Sequence, residues 1–449
     1  MKFNAKLLPP LALVGALALV PVTASSFAAA DTTNYQELEK FMSVYERVKA
    51  NYVEKVDDHT LIKGAIDGML AALDPHSSYV EGADFDQLKT TTDGNYGGLG
   101  LTVSMEDGVV KVIAPTEDTP AWRAGVKSGD YITHINGEFM NGITLDQAVE
   151  KMKGAPGTPV KITIVRPGRD KPLDLTIVRE RIELRPVKWE IKEGVGYINI
   201  DTFTGNVGEQ VKSALLSIDK ATGGHPIGYV VDLRSNPGGL LDQAVDVADD
   251  FLESGEVVSQ RGRTKDDIER YYARPGDMAH GLPVIVLTDA GTASASEIVA
   301  GALQDHRRAL IMGEKSFGKG SVQTVVQTGP DAALRLTTAR YYTPSGRSVQ
   351  AGGIQPDIEV PQLTDPDYKN RRFIREADLR KHLLAQSKVD DKLLETDTTP
   401  DPRFSAKAED LKKQGIKDFQ LHYALNTLKR LAGQAPANVA GGSASKKSR

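Results

Sequence analysis

The sequence predicts a multi-domain protein of mixed α/β and β-rich class, in which a helical hairpin precedes a β-rich module and an α/β core. Helical spacing of apolar residues runs from Asn34 to Leu73, and alternating strand patterns with glycine turns occupy Tyr96 to Arg181. From Glu183 onward, short buried strands alternate with amphipathic helices, which is typical of an α/β core. The 449 residues suffice for several such domains.

The N-terminal residues have the order of a secretory signal peptide. A lysine-containing start and the apolar run Leu7 to Val22 are followed by the small residues Ala28 to Ala30, directly before Asp31. An uncleaved membrane anchor is the alternative, but the prolines within the run and the small-residue site favour cleavage. We therefore expect residues 1–30 to be a signal peptide. The protein is expected to be exported to the periplasm, and membrane association stays open.

Residues 31–95 form the predicted N-terminal helical region. Two helical stretches carry an apolar face, and Asp74-Pro75 ends the second of them. The face has two interpretations, since it either packs in a core of the chain or contacts a second copy. Its residues are Leu38, Phe41, Met42, Tyr45, Val48, Leu61, Ile62, Ala65, Ile66, Met69, Leu70 and Leu73.

Residues 96–183 form the predicted β-rich module, which resembles a PDZ domain over its whole length. The glycine-rich turn Gly97 to Leu101 leads into alternating strand residues, a short helix follows at Leu145 to Met152, and Val160 to Val165 is a strand. The resemblance implies that the turn binds the terminal carboxylate of a peptide, which joins the sheet as a strand. A structural spacer is the alternative. The turn residues assigned to peptide binding are Gly98, Leu99, Gly100 and Leu101.

Residues 184–362 form the predicted α/β core. In such folds, the loops at the carboxyl ends of the strands carry the functional residues. The strands Val322 to Gln327 and Ala333 to Tyr341 alternate in polarity and are expected to pair. The other predicted strands are Val195 to Ile200, Gly228 to Leu233, Val284 to Thr288 and Leu310 to Met312.

A serine and a lysine follow two of these strands. Ser294 comes after Val284 to Thr288 at the start of a helix, and Lys319 lies between two glycines after the next strand. A serine hydroxyl needs a base to become a nucleophile, and a lysine that is desolvated enough to be neutral can be that base. The pattern therefore predicts acyl transfer by a Ser-Lys pair.

Acyl transfer also needs hydrogen-bond donors for the developing oxyanion. The amide of Ala295 lies at a helix N-terminus, where unpaired N–H groups favour negative charge. A second donor is expected from Gly238 or Gly239, because glycine lets the backbone approach a substrate closely. Gln323 is expected to hydrogen-bond the neutral lysine and orient it. Ser296 is interpreted as a helix cap.

Other nucleotide and hydrolase motifs fit less well. Gly313 to Ser321 resembles a phosphate-binding loop, but Gly320 stands where a hydroxyl should hold magnesium, and a strand follows instead of a helix. Ser316 to Lys319 spells SxxK without its companion motifs, and Ser294 lacks a GxSxG context. These chemistries are therefore disfavoured.

Composition excludes further classes of site. The eight histidines are scattered and cysteine is absent, so neither a zinc site nor a disulfide can be identified. The net charge is −5 with both signs interspersed, which shows no nucleic-acid footprint. We expect no cofactor, no metal and no nucleic-acid partner.

Three motifs surround the candidate residues: Thr292 to Glu297 (TASASE), Phe317 to Gln323 (FGKGSVQ) and Asp232 to Gly239 (DLRSNPGG). Together with the PDZ-like module, they resemble the C-terminal processing peptidases, the tail-specific serine proteases with a Ser-Lys dyad and an embedded PDZ domain. The resemblance runs from about Tyr35 to about Pro361.

The resemblance assigns roles to single residues. It implies that Ser294 is the nucleophile, Lys319 the general base and Gln323 the residue that orients the base. It also implies that Ala295 and the glycines of the Asn236 loop form the oxyanion hole. A peptide-binding scaffold of the same fold that lost turnover is the alternative, which a missing dyad residue would favour.

The resemblance further implies partners and regulation. The PDZ module captures the apolar C-terminus of a protein substrate, and it either delivers this end to Ser294 or shifts to unmask the dyad. A homo-oligomer is expected, and an adaptor protein is a partner of some family members.

Residues 363–432 are predicted to be helical, and residues 433–449 are predicted to be a disordered tail.

Overall fold

The computed structural model describes residues 32–106, 108–140, 142–368, 371, 373–384, 402–404 and 406–434. The predicted signal peptide and the tail from residue 435 lie outside the described residues. The chain divides into two compact units, residues 1–66 and residues 67–449. In the described ranges, we find no helix that combines the length and the apolar character needed to cross a membrane.

Helix α1 (Thr32–Asn51) and most of helix α2 (Asp58–Ala71) form the first unit, which confirms the two predicted helices. The Lys49 ammonium pairs with the Asp58 carboxylate at 2.7 Å and joins the end of α1 to the start of α2. The apolar side chains of α1 are exposed, among them Leu38, Phe41, Met42 and Val48. Packing in a core is therefore wrong for these residues, and contact with a second copy stays a prediction.

The second unit begins with the last turn of α2 and three short elements. These are β1 (Ser78–Glu81), α3 (Ala83–Asp93) and β2 (Asn95–Gly98). Gly94 ends α3 in the left-handed conformation with φ 67°, and its N–H donates to the Thr90 carbonyl. As a result, β2 follows α3 directly.

The β-rich module forms an antiparallel sheet in the order β3-β4-β5-β7-β8, with β6 on β5, around a core of its own. Strand β9 pairs with β2, so the entry and exit of the module form one ribbon. The predicted helix at 145–152 is confirmed. The elements are β3 (Leu101–Glu106), β4 (Val109–Pro115), α4 (Pro120–Arg123), β5 (Tyr131–Ile135), β6 (Glu138–Phe139), α5 (Leu145–Met152), β7 (Pro159–Val165), β8 (Leu173–Val178) and β9 (Glu180–Glu183).

The α/β core contains all of the predicted strands and adds others. Its elements are β10 (Val187–Lys192), β11 (Val195–Ile200), α6 (Val207–Thr222), β12 (Tyr229–Asp232), α7 (Leu241–Asp249), β13 (Gly255–Arg261), β14 (Ile268–Ala273), β15 (Val284–Thr288), α8 (Ala295–Asp305), β16 (Ala309–Gly313), β17 (Ser321–Gly329), β18 (Ala332–Tyr342) and β19 (Ile358–Glu359).

The main sheet of the core has the order β10-β11-β12-β15-β16-β19 and is parallel except for β10. Strands β12 and β15 are buried along their whole length, as expected for parallel strands covered on both faces. The loops after β12, β15 and β16 leave the sheet at the same edge, because parallel strands end together. They carry the predicted oxyanion glycines, Ser294 and Lys319, respectively.

A second, antiparallel sheet has the order β1-β18-β13-β14, with β17 also on β18. The pairing of β17 with β18 confirms the predicted pair, and its register sets Gln323 opposite Thr337 and Val325 opposite Arg335. This hairpin follows the Lys319 loop and places Gln323 close to it.

The C-terminal region contains α9 (Ala408–Lys413) and α10 (Phe419–Gln434). Helix α10 packs Ala424, Leu425 and Leu428 into the core beside the main sheet. The helix prediction is wrong for residues 373–384, which form only the 3₁₀ turn Glu376–Asp378. There, the buried Glu376 bonds to groups from other parts of the chain, and such tertiary contacts override local propensity.

Candidate active site

Ser294 occupies a strained turn between β15 and α8. Its backbone has φ 55° and ψ −115°, a region that residues other than glycine rarely adopt. Strain of this kind costs on the order of 1–3 kcal/mol and persists where surrounding bonds enforce it. Here, the Thr292 hydroxyl donates to the Leu233 carbonyl at 2.8 Å, and the Ala293 N–H donates to the Asn236 carbonyl at 2.9 Å. Ser294 stays partly exposed while its neighbours are buried.

A buried carboxylate, Glu297, ties the serine turn to the lysine loop. Its Oε2 accepts the N–H groups of Ser294 at 2.8 Å and Lys319 at 2.9 Å. Its Oε1 accepts the Ser316 hydroxyl at 2.5 Å and the Gly318 N–H at 2.7 Å. Burial raises the pKa of Glu297 to about 7, and the hydrogen bonds, led by that of Ser316, oppose this rise. The S-x-x-E spacing of a capping box is the sequence signal that points to Glu297.

Lys319 lies in the loop between β16 and β17 with its side chain partly buried. Burial is the main cause that lowers the pKa of its ammonium, and the positive charge of Arg335 lowers it further, while Glu376 opposes the change. Within the part of the chain that the structure describes, no group accepts a hydrogen bond from its Nζ. The surroundings therefore favour the neutral amine that a general base requires.

Gln323 is held with its acceptor end free. Its Nε2 donates to the Ser321 hydroxyl at 3.0 Å and to the Thr337 hydroxyl at 3.1 Å. The Thr337 hydroxyl in turn donates to Asp74 Oδ1 at 3.2 Å. No donor from the described residues reaches Gln323 Oε1. This arrangement leaves the Gln323 carbonyl oxygen available to a lysine amine. No local sequence pattern marks Thr337 or Asp74 as the residues that support the Gln323 side chain.

The glycine loop after β12 lies directly against the serine turn. A Cβ on Gly238 would come within 2.7 Å of Ser294 Cβ and 2.9 Å of the Ala295 nitrogen, so only glycine fits. The Gly238 N–H donates to Asn236 Oδ1 at 2.9 Å. Among the described residues, no acceptor takes the N–H groups of Ala295 and Gly239. Of the two glycines, Gly239 therefore has the N–H that is free for a substrate.

Ser296 does not have the helix-capping contact that the sequence predicts. Its hydroxyl is buried and donates to the Asn236 carbonyl at 3.1 Å, across to the glycine loop. The prediction of a structural rather than catalytic role agrees with this contact. The contact itself holds two loops together instead of capping the helix.

One cavity of about 270 Å³ brings most of the candidate residues together. Ser294, Ala295, Lys319, Gln323 and Gly239 line it, whereas Gly238 lies behind the serine and outside the wall. The remaining wall is largely apolar and includes Leu88 from α3, Leu240, Leu241, Ile298, Val322 and Val325.

Tyr341 and Arg335 also line this cavity, and neither was predicted as a site residue from the sequence. The buried Tyr341 hydroxyl donates to the main-chain carbonyl of Ser294 at 3.0 Å and also to that of Lys319. It is a second link between the serine turn and the lysine loop. Both residues lie on β18, far along the chain from the serine, so no local motif marks them.

The predicted peptide-binding turn lines a groove of its own. Gly98, Leu99, Gly100 and Leu101 face α5 across a space of only about 30 Å³. Gly100 has φ 73°, and a Cβ there would lie 2.3 Å from Thr119, so the turn requires glycine. Among the described residues, the N–H groups of Leu99 and Gly100 have no acceptor.

Three segments of the chain match known protein families. Residues 194–360 match Peptidase family S41, residues 21–83 match the activating protease CtpB N-terminal domain, and residues 111–166 match the PDZ domain. These segments correspond to the α/β core, the N-terminal region and the β-rich module.

Similar proteins carry related names. A carboxy-terminal-processing protease of Bartonella bacilliformis is 48% identical over 80% of this chain and 83% of that protein. The carboxy-terminal processing protease CtpB of Bacillus subtilis is 38% identical over 78% of this chain and 72% of that protein. The solved structure of a photosystem II D1 C-terminal processing protease is 27% identical, with a TM-score of 0.42, over 78% of this chain and 94% of that chain. The similarity to the curated relatives extends over most of both chains, and the chain contains a PDZ domain. The protein therefore belongs to peptidase family S41 and is one of the carboxy-terminal processing proteases, which are serine peptidases.

Proposed function

We propose that this chain is an exported endopeptidase in which Ser294 and Lys319 form a catalytic Ser-Lys dyad. The observation that carries the proposal is the shared cavity, which Ser294, Lys319 and Gln323 line together with Ala295 and Gly239. A nucleophile, a desolvated base, an orienting acceptor and two free N–H donors are the parts that acyl transfer needs.

In the first half of the reaction, neutral Lys319 takes the proton of the Ser294 hydroxyl as Oγ attacks the peptide carbonyl carbon. The carbonyl oxygen becomes an oxyanion that accepts hydrogen bonds from the N–H groups of Ala295 and Gly239. When the tetrahedral intermediate collapses, the C–N bond breaks and the Lys319 ammonium gives its proton to the leaving amine. The product is an acyl-enzyme on Ser294.

In the second half, Lys319 takes a proton from a water molecule as its oxygen attacks the acyl carbonyl. Collapse then breaks the bond to Ser294 Oγ, which recovers its proton from the lysine, and the N-terminal fragment leaves with a new C-terminal carboxyl group. Gln323 accepts a hydrogen bond from the lysine through its free Oε1 and keeps the amine directed at the serine. The low-polarity wall of the cavity limits competing solvation of the amine.

The same proposal includes recognition of substrate tails by the PDZ domain. The unpaired N–H groups of Leu99 and Gly100 suit a terminal carboxylate, and the apolar residues Leu101, Val103 and Val149 suit an apolar side chain beside it. Because the groove holds a space of only about 30 Å³, we propose that α5 moves away from β3 to admit a peptide side chain.

Regulation follows from how the PDZ domain is joined to the core. The chain runs from α3, whose Leu88, Thr91 and Thr92 line the catalytic cavity, through Gly94 and β2 into the peptide-binding turn. A peptide that pulls on the turn therefore acts on the wall of the active site through one short strand. We propose that tail binding shifts α3 and so opens the cavity to substrate.

Export and assembly complete the proposal. The signal-like residues 1–30 support action in the periplasm, and the exposed apolar face of α1 supports a homo-oligomer. The substrates are proteins with apolar C-termini, and an adaptor protein is a further partner.

The first test is hydrolysis of an unfolded reporter protein with an apolar C-terminus by residues 31–449. Wild type is compared with Ser294→Ala and Lys319→Ala, each with and without a periplasmic extract. Cleavage by wild type that both substitutions abolish supports the dyad, and cleavage only with extract indicates an adaptor. Equal background in all samples under both conditions contradicts the proposal and favours a peptide-binding scaffold.

A further inference from the structure

The catalytic cavity contains a basic residue that the proposed reaction does not use. Of the described residues that line it, Lys319 and Arg335 are basic and none is an aspartate or glutamate. The proposed acyl transfer uses one basic residue, Lys319. Arg335 therefore needs its own explanation.

Arg335 is held in the middle of a sheet and not on a mobile surface. On β18 it lies opposite Ser78 of β1 on one side and opposite Val325 of β17 on the other. Thr337, which bonds to the Gln323 amide, is two residues further along the same strand and faces the same way. The backbone thus fixes Arg335 within about 7 Å of the strand position that supports Gln323.

Among the described residues, the guanidinium of Arg335 has no hydrogen-bond or ion-pair partner. Its Nε is buried without a hydrogen bond, and no described carboxylate pairs with the side chain. A buried donor left without an acceptor costs about 1–3 kcal/mol, and more when it is charged. The fork of an arginine matches a carboxylate with two parallel N–H···O bonds, which is the partner that would remove this cost.

We propose that Arg335 anchors a carboxylate of the substrate peptide beside the catalytic pair, an inference that rests on the proposed protease function. The carboxylate is either the chain terminus or the side chain of an acidic residue. The apolar wall formed by Leu88, Leu241, Ile298 and Val325 receives the side chains next to it. A terminus bound here has left the PDZ turn, since one terminal carboxylate occupies only one of the two sites, and its anchoring fixes how far from the end the peptide is cut.

The anchor differs from the PDZ turn in place and in purpose. The PDZ turn binds a tail through backbone N–H groups and α5, whereas Arg335 lies in the wall of the catalytic cavity itself. Tail capture in the PDZ domain selects which protein is bound. The contact with Arg335 selects which bond is cut.

The test uses three matched apolar fluorogenic peptides and the chain from residue 31 to 449. One peptide ends in a free carboxylate, one in a carboxamide, and one in a carboxamide with glutamate as its last residue. Wild type is compared with Arg335→Met, Arg335→Lys and Arg340→Met. Arg340 is the matched control, because it is on the same strand β18 but does not line the cavity. Gly100→Ala measures the contribution of the PDZ turn.

We expect wild type to prefer the free carboxylate over the plain carboxamide by about tenfold in kcat/KM, the effect of one charge-assisted hydrogen bond. Arg335→Met should abolish this preference through KM, Arg335→Lys should keep part of it, and Arg340→Met should keep all of it. Cleavage of the glutamate peptide at the higher rate shows that an acidic side chain also binds.

The inference is overturned if wild type has no preference, or if Arg335→Met retains it while Gly100→Ala loses it. If wild type cleaves none of the peptides either with or without periplasmic extract, the proposed protease function fails instead. Binding of the same labelled peptides, measured by fluorescence anisotropy, then tests independently of cleavage whether Arg335 binds the carboxylate. Tighter binding of the free carboxylate that Arg335→Met abolishes supports it, and equal affinities contradict it.

Discussion

The backbone N–H groups of Ser294 and Lys319 donate to the same oxygen atom, Oε2 of Glu297, at 2.8 and 2.9 Å. The two residues of the proposed dyad are therefore fixed to each other through a buried carboxylate and not through their own side chains. Since Tyr341 joins their carbonyl groups as well, both sides of the backbone are held. Such fixed positioning is worth several kcal/mol in a reaction that needs aligned groups.

Replacing Glu297 by glutamine should disable the site. In the wild type, backbone N–H groups donate to both oxygens of the Glu297 carboxylate. A glutamine amide would turn its own NH₂ group toward some of these donors and leave them buried without an acceptor. We expect loss of about 3 kcal/mol of stability and at least about a hundredfold lower kcat, because each unsatisfied buried donor costs about 1–3 kcal/mol. Thermal unfolding and reporter hydrolysis measure the two effects.

Glu209→Gln is the matched control for that substitution. Glu209 is also in the first turn of a helix, α6, but it is exposed. Its replacement should change stability by less than about 0.5 kcal/mol. Equal effects of Glu209→Gln and Glu297→Gln would contradict a special role for the buried carboxylate.

The pH dependence of kcat/KM should report the protonation of Lys319. The base acts when neutral, so activity rises with pH as the ammonium loses its proton. Burial and Arg335 lower the pKa, which places the rising limb below the ordinary lysine value of 10.5. Arg335→Met removes a positive neighbour and should raise the pKa of Lys319, so the rising limb moves to higher pH.

The comparison for this shift is Arg335→Lys, which keeps the charge and should leave the rising limb near its wild-type position. A limb at the same pH in wild type and Arg335→Met would show that Arg335 does not act on the base. Protonation of Glu297 also lowers activity as pH falls through about 7. The rising limb of the kcat/KM profile is therefore assigned to Lys319 only if it moves to higher pH in Arg335→Met.

The sequence predicted the parts of the site that are adjacent in the chain. Ser294, Lys319 and Gln323 follow recognisable strands or lie in glycine or small-residue turns, and the structure places all three in the wall of one cavity. The order of the parallel strands then brought the turns together, which follows from the rule that such strands end at one edge.

The supporting residues could not be predicted in the same way. Tyr341, Thr337 and Arg335 reach the site because β18 folds beside β17, and a strand of alternating residues does not reveal which side faces a cavity. The Gly238 N–H illustrates a finer limit, since only the bond to Asn236 shows that it is already used. The irregular segment 373–384 was missed because a buried Glu376 and its partners determine it.

A test of tail recognition is Gly100→Ala. The left-handed φ of 73° and the contact of 2.3 Å with Thr119 make any side chain at this position strained, so the peptide-binding turn should distort. We expect KM for tailed substrates to rise by about tenfold or more, with the rate on a short untailed peptide nearly unchanged. Gly137→Ala in the same domain is the control, because its φ is 83° but no atom lies within 4 Å of the added carbon. If both variants raise KM equally, backbone strain alone explains the effect and the turn is not the tail site.

The C-terminal region should contribute to catalysis through Asp418. Its carboxylate accepts bonds from Arg234 Nη1 at 3.0 Å and Nη2 at 2.7 Å, and Arg234 begins the loop that carries Gly238 and Gly239. Asp418→Asn removes one of the two carboxylates that pair with the largely buried Arg234 guanidinium, and Asp232 remains. Breaking a buried ion pair fully costs about 3–5 kcal/mol. Since the asparagine retains one acceptor, we expect a smaller loss of stability and a lower kcat with little change in KM, because the oxyanion donor at Gly239 is displaced.

Asp410→Asn provides the comparison, since Asp410 is an exposed residue of the neighbouring helix α9 whose carboxylate pairs, among the described residues, only with Lys413 at 3.5 Å. It should leave both stability and kcat unchanged. A fall in kcat with Asp418→Asn at a temperature where the variant is fully folded locates the effect in the oxyanion loop, because unfolding would reduce the amount of enzyme and not the rate of the folded fraction. An unchanged kcat under those conditions would show that the contact between Arg234 and Asp418 supports the fold alone, and that the glycine loop keeps its position without the C-terminal region.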